Sequence, residues 1–349
     1  MSSSDSQADS LPLAYGEAVL NATIRSVAED FQVEEVLGFE PEGEGEHVML
    51  WVEKRGANTA WVGQQLAEHA GVDPRRALTW AGLKDRHAVT RQWFGLHLAR
   101  TALPEQWPEH AEYRVLRAVR HRRKLQIGAL KGNRFRLRLR QLQGERSAIE
   151  QRLQQIAEGG VPNYFGEQRF GRDGSNVEQA RALFAGSRMP RHKASILLSA
   201  VRSSGFNQVL AARVNAGCWN RPIDGEVFVL DGSRSTFGPE PLNEELERRV
   251  KELDIHPSGP LLGKGALRSE GRAAGFDVQH GLDDDLLNGL IRAGLKQERR
   301  ALRLPVRELG WEFLSDGALQ LEFFLPAGCY ATSVLHELGL TEDPNRAIS

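Results

Sequence analysis

The segment Ala81-Gly82-Leu83-Lys84-Asp85-Arg86-His87-Ala88-Val89-Thr90-Arg91-Gln92-Trp93-Phe94 places one carboxylate between cations on both sides. A carboxylate so placed can act as a nucleophile or a general base, provided the chain holds it at a fixed angle. Taken alone, Lys84-Asp85-Arg86 would be a solvated turn with a weak surface ion pair. A turn of that kind has little use for the neighbouring Trp80, Trp93 and His87.

The elements around this segment can supply the fixed angle. Asp73-Pro74 has the N-cap and first-turn proline of a short helix, and Leu78 to Ala81 then suits a strand. Val89 to Leu98 is again rich in β-branched and aromatic residues. The carboxylate is therefore expected on a tight connection between extended segments. Upstream, Phe31 and Val33 alternate with polar neighbours as in a half-buried strand, and His47 to Glu53 reads as another. Asn58 or Thr59 caps a helix reaching about His69, with Val62, Leu66 and Ala70 on one face and Gly71 as its stop.

Composition narrows the setting. The chain has 349 residues, enough for a substantial core and more than one domain, with 45 basic residues against 46 acidic. Net charge thus says nothing of a polyanionic partner, but the charges are segregated. Glu29 to Glu53 holds nine acidic residues and no Lys or Arg, whereas Arg114 to Arg140 holds eleven Lys or Arg and no acid. Cys218 and Cys329 stand far apart, outside any pattern of a disulfide framework or a zinc site. No apolar run approaches a membrane span, and Met1 to Ser10 is polar and acidic, so a cytoplasmic protein is expected.

The basic stretch points to a partner. From Arg134 to Arg140 the pattern alternates strictly, so that Phe135, Leu137 and Leu139 face one side of a strand and four arginines the other. Such a face either pairs with acids, for which the acidic stretch 29 to 53 is the ready source, or meets phosphates, which the planar guanidinium fork matches. Arg122-Arg123-Lys124 adds to the charge. Asn133 and Phe135 follow the turn at Gly132; an amide there can read a base or ribose edge and a ring can stack on it, although Phe135 by itself would pass for core. The Gly-punctuated loop Glu40 to Glu46 cannot hold two carboxylates at a fixed separation, which removes a glycosidase-like pair.

After an amphipathic helix at about Glu145 to Ala157, the run Gly159 to Gly171 marks a composition shift, rich in glycine and aromatics; Tyr164, Gln168 and Arg169 there suit either RNA contact or a packed junction. Helices are expected over Val177 to Phe184, Lys193 to Ala216 and Asp283 to about Gln297, with a strand at Glu226 to Leu230. Gly259 to Lys264 has too few residues between its glycines, and no Ser or Thr after the lysine, for a phosphate loop. Strands return near Arg303, with a hairpin of Trp311 to Leu314 and Ala318 to Leu325, followed by Pro326-Ala327-Gly328-Cys329-Tyr330-Ala331-Thr332-Ser333.

Several of these stretches together resemble the TruD family of tRNA pseudouridine synthases: Glu-Asp-Phe-x-Val-x-Glu at 29 to 35, Gly-x-Lys-Asp-Arg-His-Ala-x-Thr-x-Gln-Trp at 82 to 93, Gly-Ala-Leu-Lys-Gly-Asn-x-Phe at 128 to 135, Val-Pro-Asn-Tyr-Phe-Gly-x-Gln-Arg-Phe-Gly at 161 to 171, and Leu-Pro-Ala-Gly-x-Tyr-Ala-Thr-Ser at 325 to 333. The resemblance runs from about Ile24 to Leu338. It implies an α+β, V-shaped molecule: a pseudouridine-synthase catalytic domain with a mixed β-sheet from 19–158 and 304–349, and an inserted, mostly helical TRUD domain over 159–303; the small, polar residues 1–18 are by their composition expected to form a disordered tail. It further implies that uridine 13 of tRNA is isomerised to pseudouridine, with Asp85 as the catalytic nucleophile and Phe31, Asn133, Phe135, Tyr330, Arg25 and Lys84 in the substrate site. Tyr330 stands where the family also has Phe, and Arg25 where Lys is expected. No cofactor and no metal are implied, since the reaction needs neither net oxidation nor energy input. A tRNA is the expected partner, no membrane is, and a monomer is expected. Two rival readings are an RNA-binding module that does not need Asp85 and a hydrolase of glycosidic bonds that would release a free base.

Overall fold

The computed structural model describes residues 11–99, 102–171 and 174–344. The chain is α+β and divides into two compact units, one of Val19–Ile149, Val306–Cys329 and Gly339–Ser349, the other of Met1–Ala18, Glu150–Pro305 and Tyr330–Leu338.

The first unit begins with strands β1 (Leu20–Thr23), β2 (Phe31–Leu37) and β3 (His47–Arg55), helices α1 (Thr59–His69) and α2 (Pro74–Ala77), and strands β4 (Leu78–Trp80), β5 (Val89–His97), β6 (Tyr113–His121) and β7 (Leu130–Gln143). The two helices start where their side-chain caps sit: Asn58 Oδ1 accepts from the Ala60 amide at 2.9 Å, and Asp73 Oδ1 from that of Arg75 at 3.0 Å. On the β3–β5 layer, Val48, Leu50, Val52, Phe94 and Leu96 bury against Val62 and Leu66 of α1. Gly63 makes the approach possible, because a Cβ there would meet Leu78 Cδ2 at 2.9 Å.

The second unit follows with α3 (Arg146–Gly159), which bridges the unit boundary, then β8 (Val161–Pro162), α4 (Ser175–Phe184), α5 (Arg191–Asn215), β9 (Phe228–Leu230), β10 (Thr236–Phe237), α6 (Glu244–Lys251), β11 (Ile255–Leu261), α7 (Gly271–Gln279), α8 (Asp284–Arg292), β12 (Glu298–Ala301) and β13 (Arg303–Leu304). β8 and β13 pair antiparallel, so the long segment between them leaves and returns at one place. Its helices α4, α5 and α8 share a core of Ala180, Leu197, Val201, Leu286 and Leu290. Beside them stands a four-stranded sheet in the order β10-β9-β11-β12. Its central strand β11 is buried along six of its seven positions and carries Pro257 and Pro260, so no alternation betrays it. Gly259 to Leu261 lies in this strand, where no phosphate loop exists. α8 ends at Arg292, short of the expected Gln297, because Gly294 turns the chain at φ +80°.

The chain then adds β14 (Arg307–Phe313) and β15 (Leu319–Pro326) to the first unit, α9 (Ala331–Leu338) to the second, and β16 (Gly339–Glu342) to the first. The first unit's mixed ten-stranded sheet runs β14-β15-β7-β2-β5-β3-β6, with β1 between β16 and β7 and with β4 on β5. β2–β5 and β1–β16 are parallel; the other pairs are antiparallel.

Part of the expected tail is fixed. Residues 1–10 lie outside the described residues, but the amides of Ala14 and Tyr15 donate to Glu337 Oε1 at 2.7 and 3.0 Å, and the Tyr15 hydroxyl donates to the Gly160 carbonyl at 2.8 Å. Leu11, Ala14 and Tyr15 pack on the core of Tyr164, Phe165, Phe206 and Trp219. The anchor is tertiary, and the segment is too short for any periodicity to announce it. Among the described residues no helix is long and apolar enough to cross a membrane.

Candidate active site

Asp85 lies on the connection between β4 and β5, and the chain around it is tied down on the far side. Lys54 Nζ donates to the Asp85 carbonyl at 2.9 Å, the Lys84 amide donates to Thr59 Oγ1 at 3.2 Å, and Arg86 Nε donates to the Gly56 carbonyl at 3.1 Å. Thr59 in turn donates to Gln92 Oε1 at 3.0 Å. The loop is thus fastened to the segment between β3 and α1, which α1's own burial holds in place.

The Asp85 carboxylate has a partner on each oxygen. Oδ1 accepts from the His87 amide at 3.0 Å, and Oδ2 lies 2.9 Å from Arg25 Nη2. The side chain remains 30% exposed, so lone pairs are left for a substrate. Arg25 is itself anchored: its guanidinium lies 3.9 Å over the centre of the Phe31 ring, and its Nη1 is 2.6 Å from Asp343 Oδ2. Asp343 was not foreseen. It follows β16, whose parallel pairing with β1 brings it to the residue after Ile24, and no local pattern at the chain's end reveals that pairing.

Of Arg25 and Lys84, the structure sets only Arg25 against the Asp85 carboxylate. The Lys84 ammonium turns away, to Glu35 Oε1 at 2.5 Å, and both groups are buried. Glu35 Oε2 also accepts from the Trp93 amide at 2.8 Å. Burial pushes the Glu35 carboxyl up, against the pull of Lys84. Lys84 thus tethers the loop toward β2.

Phe31 and Phe135 both belong to this unit, and both are buried. Phe31 meets Phe135 edge to face with centroids 6.3 Å apart, and Phe135 stacks on Phe323 at 5.4 Å. Phe135 is thus core, filling the sheet face between β2 and β15, and Phe31 has its ring covered by Arg25. Asn133 stands in register between Glu35 of β2 and Leu325 of β15, and its buried Oδ1 has no hydrogen-bond donor. Tyr330 belongs to the other unit, where its hydroxyl accepts a bond from Arg169 Nη2 at 3.1 Å; that supplies the partner a tyrosine in place of phenylalanine requires.

The arginine face of β7 is spoken for. Arg134 reaches Glu308 at 2.5 Å, Arg136 reaches Glu322 at 2.7 Å, Arg138 reaches Asp316, and Arg140 reaches Asp30 at 2.7 Å. Pairing rather than a bare phosphate-binding face is what the alternation signified. Most of the acids come from the hairpin of β14 and β15, not from the stretch 29 to 53. That acidic stretch sends Glu42 and Glu44 to Arg122, while Arg123 and Lys124 stay exposed.

Lys54 was also missed. It is wholly buried in β3, a position that alternation assigns to an apolar residue, and its amine reaches the carbonyls of Ala57 and Asp85 at 2.9 Å each. Burial pushes its ammonium down to about 8.

Comparison with known proteins agrees with the resemblance of the motifs. The family model described as tRNA pseudouridine synthase D (TruD) matches residues 12–178 and 175–338. A tRNA pseudouridine synthase D of Xanthomonas euvesicatoria pv. vesicatoria is 52% identical over 361 residues, covering 98% of this chain and 97% of the relative. One from Methylococcus capsulatus is 49% identical over 335 residues, covering 95% and 94%. A crystal structure of a putative tRNA pseudouridine synthase D from Methanosarcina mazei shares the fold, with a TM-score of 0.68 over 94% of this chain and 95% of that one at 22% identity. The chain belongs to the TruD family of tRNA pseudouridine synthases.

Proposed function

We propose that this chain isomerises uridine 13 of tRNA to pseudouridine, with Asp85 as the nucleophile and no cofactor, acting as a cytoplasmic monomer. The observation that carries the reading is the setting of Asp85: a part-exposed carboxylate, held by the His87 amide and the Arg25 guanidinium on a loop bonded at three further points. A group kept in one geometry spends little of its binding energy on being ordered.

In the reaction the bond from uracil N1 to ribose C1′ breaks, the base turns, C5 bonds to C1′, and the proton lost from C5 is matched by one taken up at N1, so the product is an isomer. Arg25 sets its positive charge against the Asp85 carboxylate. The target base must be unstacked, which costs about a few kcal/mol. Asn133 Oδ1, a buried acceptor without a donor, suits the imide N–H of a uracil; Tyr330, assigned to the substrate by the family resemblance alone, has in its own unit a part-exposed ring that suits stacking. Phe31 and Phe135 support the site from below, Phe31 by carrying Arg25. The domain division follows the same reading: a catalytic domain of 19–158 and 304–349 and an insertion of 159–303.

The test is to incubate wild type and Asp85→Asn with an unmodified tRNA transcript and to map pseudouridine by carbodiimide adduct and primer extension. A stop attributable to position 13 with the wild type alone is the expected result. A stop with both proteins would remove Asp85 from the chemistry, and a free base in the products would turn the reading toward glycosidic hydrolysis.

A further inference from the structure

Lysine is rarely buried without an anionic partner, because its ammonium gives up most of its hydration. Lys54 is wholly buried, and among the described residues no carboxylate lies within ion-pairing distance of it. Its two acceptors are backbone carbonyls, one belonging to Ala57 at the entry to α1 and the other to Asp85 itself. A neutral amide would bridge two carbonyls at far lower desolvation cost, so holding the chain does not by itself account for a charge here.

The surroundings account for it. The charged groups that act on the Lys54 ammonium are both on the reacting loop: the Asp85 carboxylate favours its protonated form and Lys84 opposes it. Its cross-strand neighbours are Thr90 on β5, which does not titrate, and Tyr113 on β6, whose hydroxyl burial pushes up and so keeps neutral. Lys84 gives its own charge to Glu35. Asp85 is thus left with two cations that answer to it, Arg25 at its oxygen and Lys54 behind its carbonyl.

Resting on the reading of Asp85 as the reacting carboxylate, we infer that Lys54 is a positioning residue for it, fixing the backbone of Asp85 and supplying, from the buried side, a second positive charge to its carboxylate. The charge matters as well as the hydrogen bond, so the effect depends on the protonation of Lys54. Loss of that proton near pH 8 weakens the hold on the carboxylate while the protein stays folded.

The test uses the full chain. In Lys54→Met, tRNA affinity is expected to stay within about threefold while the single-turnover rate falls about tenfold or more, the size of one misplaced reacting group. The fall in rate that the wild type shows above about pH 8 should be missing from the variant. Independently of turnover, the 13Cε-lysine resonance of Lys54 should titrate at lower pH in Asp85→Asn than in the wild type, by about half a unit or more. A folded Lys54→Met that turns over at the wild-type rate would overturn the inference. So would a Lys54 titration that Asp85→Asn leaves unmoved, and this second measurement decides the matter if Lys54→Met does not fold. Activity retained by Asp85→Asn would instead count against the proposed function, since the resonance reports on the coupling alone.

Discussion

Asp343 and Arg25 are 318 residues apart in the chain and 2.6 Å apart in the fold, and the other arm of the same guanidinium holds Asp85 at 2.9 Å. Arg25 sits at φ 54°, a left-handed conformation costly for a branched-at-Cβ or bulky side chain, and it is kept there by the two carboxylates and by the Phe31 ring beneath. One cation thus serves two acids, of which only Asp85 belongs to the loop.

Removing the outer acid should therefore be felt at the inner one. Asp343→Ala is expected to lower the single-turnover rate roughly fivefold, equivalent to about 1 kcal/mol, with tRNA affinity little changed. Asp343→Asn should fall between, since its amide oxygen still accepts. Equal rates for all three proteins would show that Phe31 and Asp85 suffice to hold Arg25.

Tyr330 offers its ring and bonds its hydroxyl to Arg169. If the ring stacks on a base, Tyr330→Phe should keep the rate within about twofold and Tyr330→Ala should cost about 1–3 kcal/mol, read as a loss of binding or turnover. Arg169→Met should then resemble Tyr330→Phe. A large loss in Arg169→Met with Tyr330→Phe unaffected would assign the arginine a contact of its own with RNA.

The paired arginines of β7 and the exposed Arg123 make opposite predictions for salt. A cation that meets phosphate releases counterions on binding, and its removal lowers the salt slope of tRNA affinity by about 0.7–0.9. Arg123→Gln should show that change, whereas Arg136→Gln, whose charge is already met by Glu322, should leave the slope as it was. Titration of tRNA binding from low to high salt measures both.

Lys54 also sets a pH dependence of stability. Its ammonium falls from 10.5 in the unfolded chain to about 8 in the fold, so between those values the unfolded chain binds a proton that the folded chain lacks. Stability from this group therefore rises with pH across that window; below pH 8 the protein bears the full cost of a buried charge, roughly 3 kcal/mol. Denaturant unfolding of wild type and Lys54→Met at several pH values from 7.5 to 10 should show any advantage of the variant shrinking as pH rises. A difference that stays constant with pH would mean that the fold leaves the Lys54 ammonium where it stands in the unfolded chain.

Local signals explain much of the fold. Caps at Asn58 and Asp73, the alternation of β7 and the apolar spacing of α5 depend on residues a few positions apart, and each element lies where those residues place it. Asp85 could be singled out in the same way, because its loop, its flanking strands and its charged neighbours are contiguous. The partners of the charges were decided elsewhere. Nothing near Lys84 says that it will prefer Glu35 to Asp85, nothing in the arginine ladder names Glu308, Asp316 and Glu322, and nothing at the chain's end announces Asp343. Side-chain period and backbone capping are local properties, readable from spacing. Which acid meets which base depends on strand order and register, which long-range pairing alone establishes, and only in the folded sheet does one arginine come to lie between two aspartates.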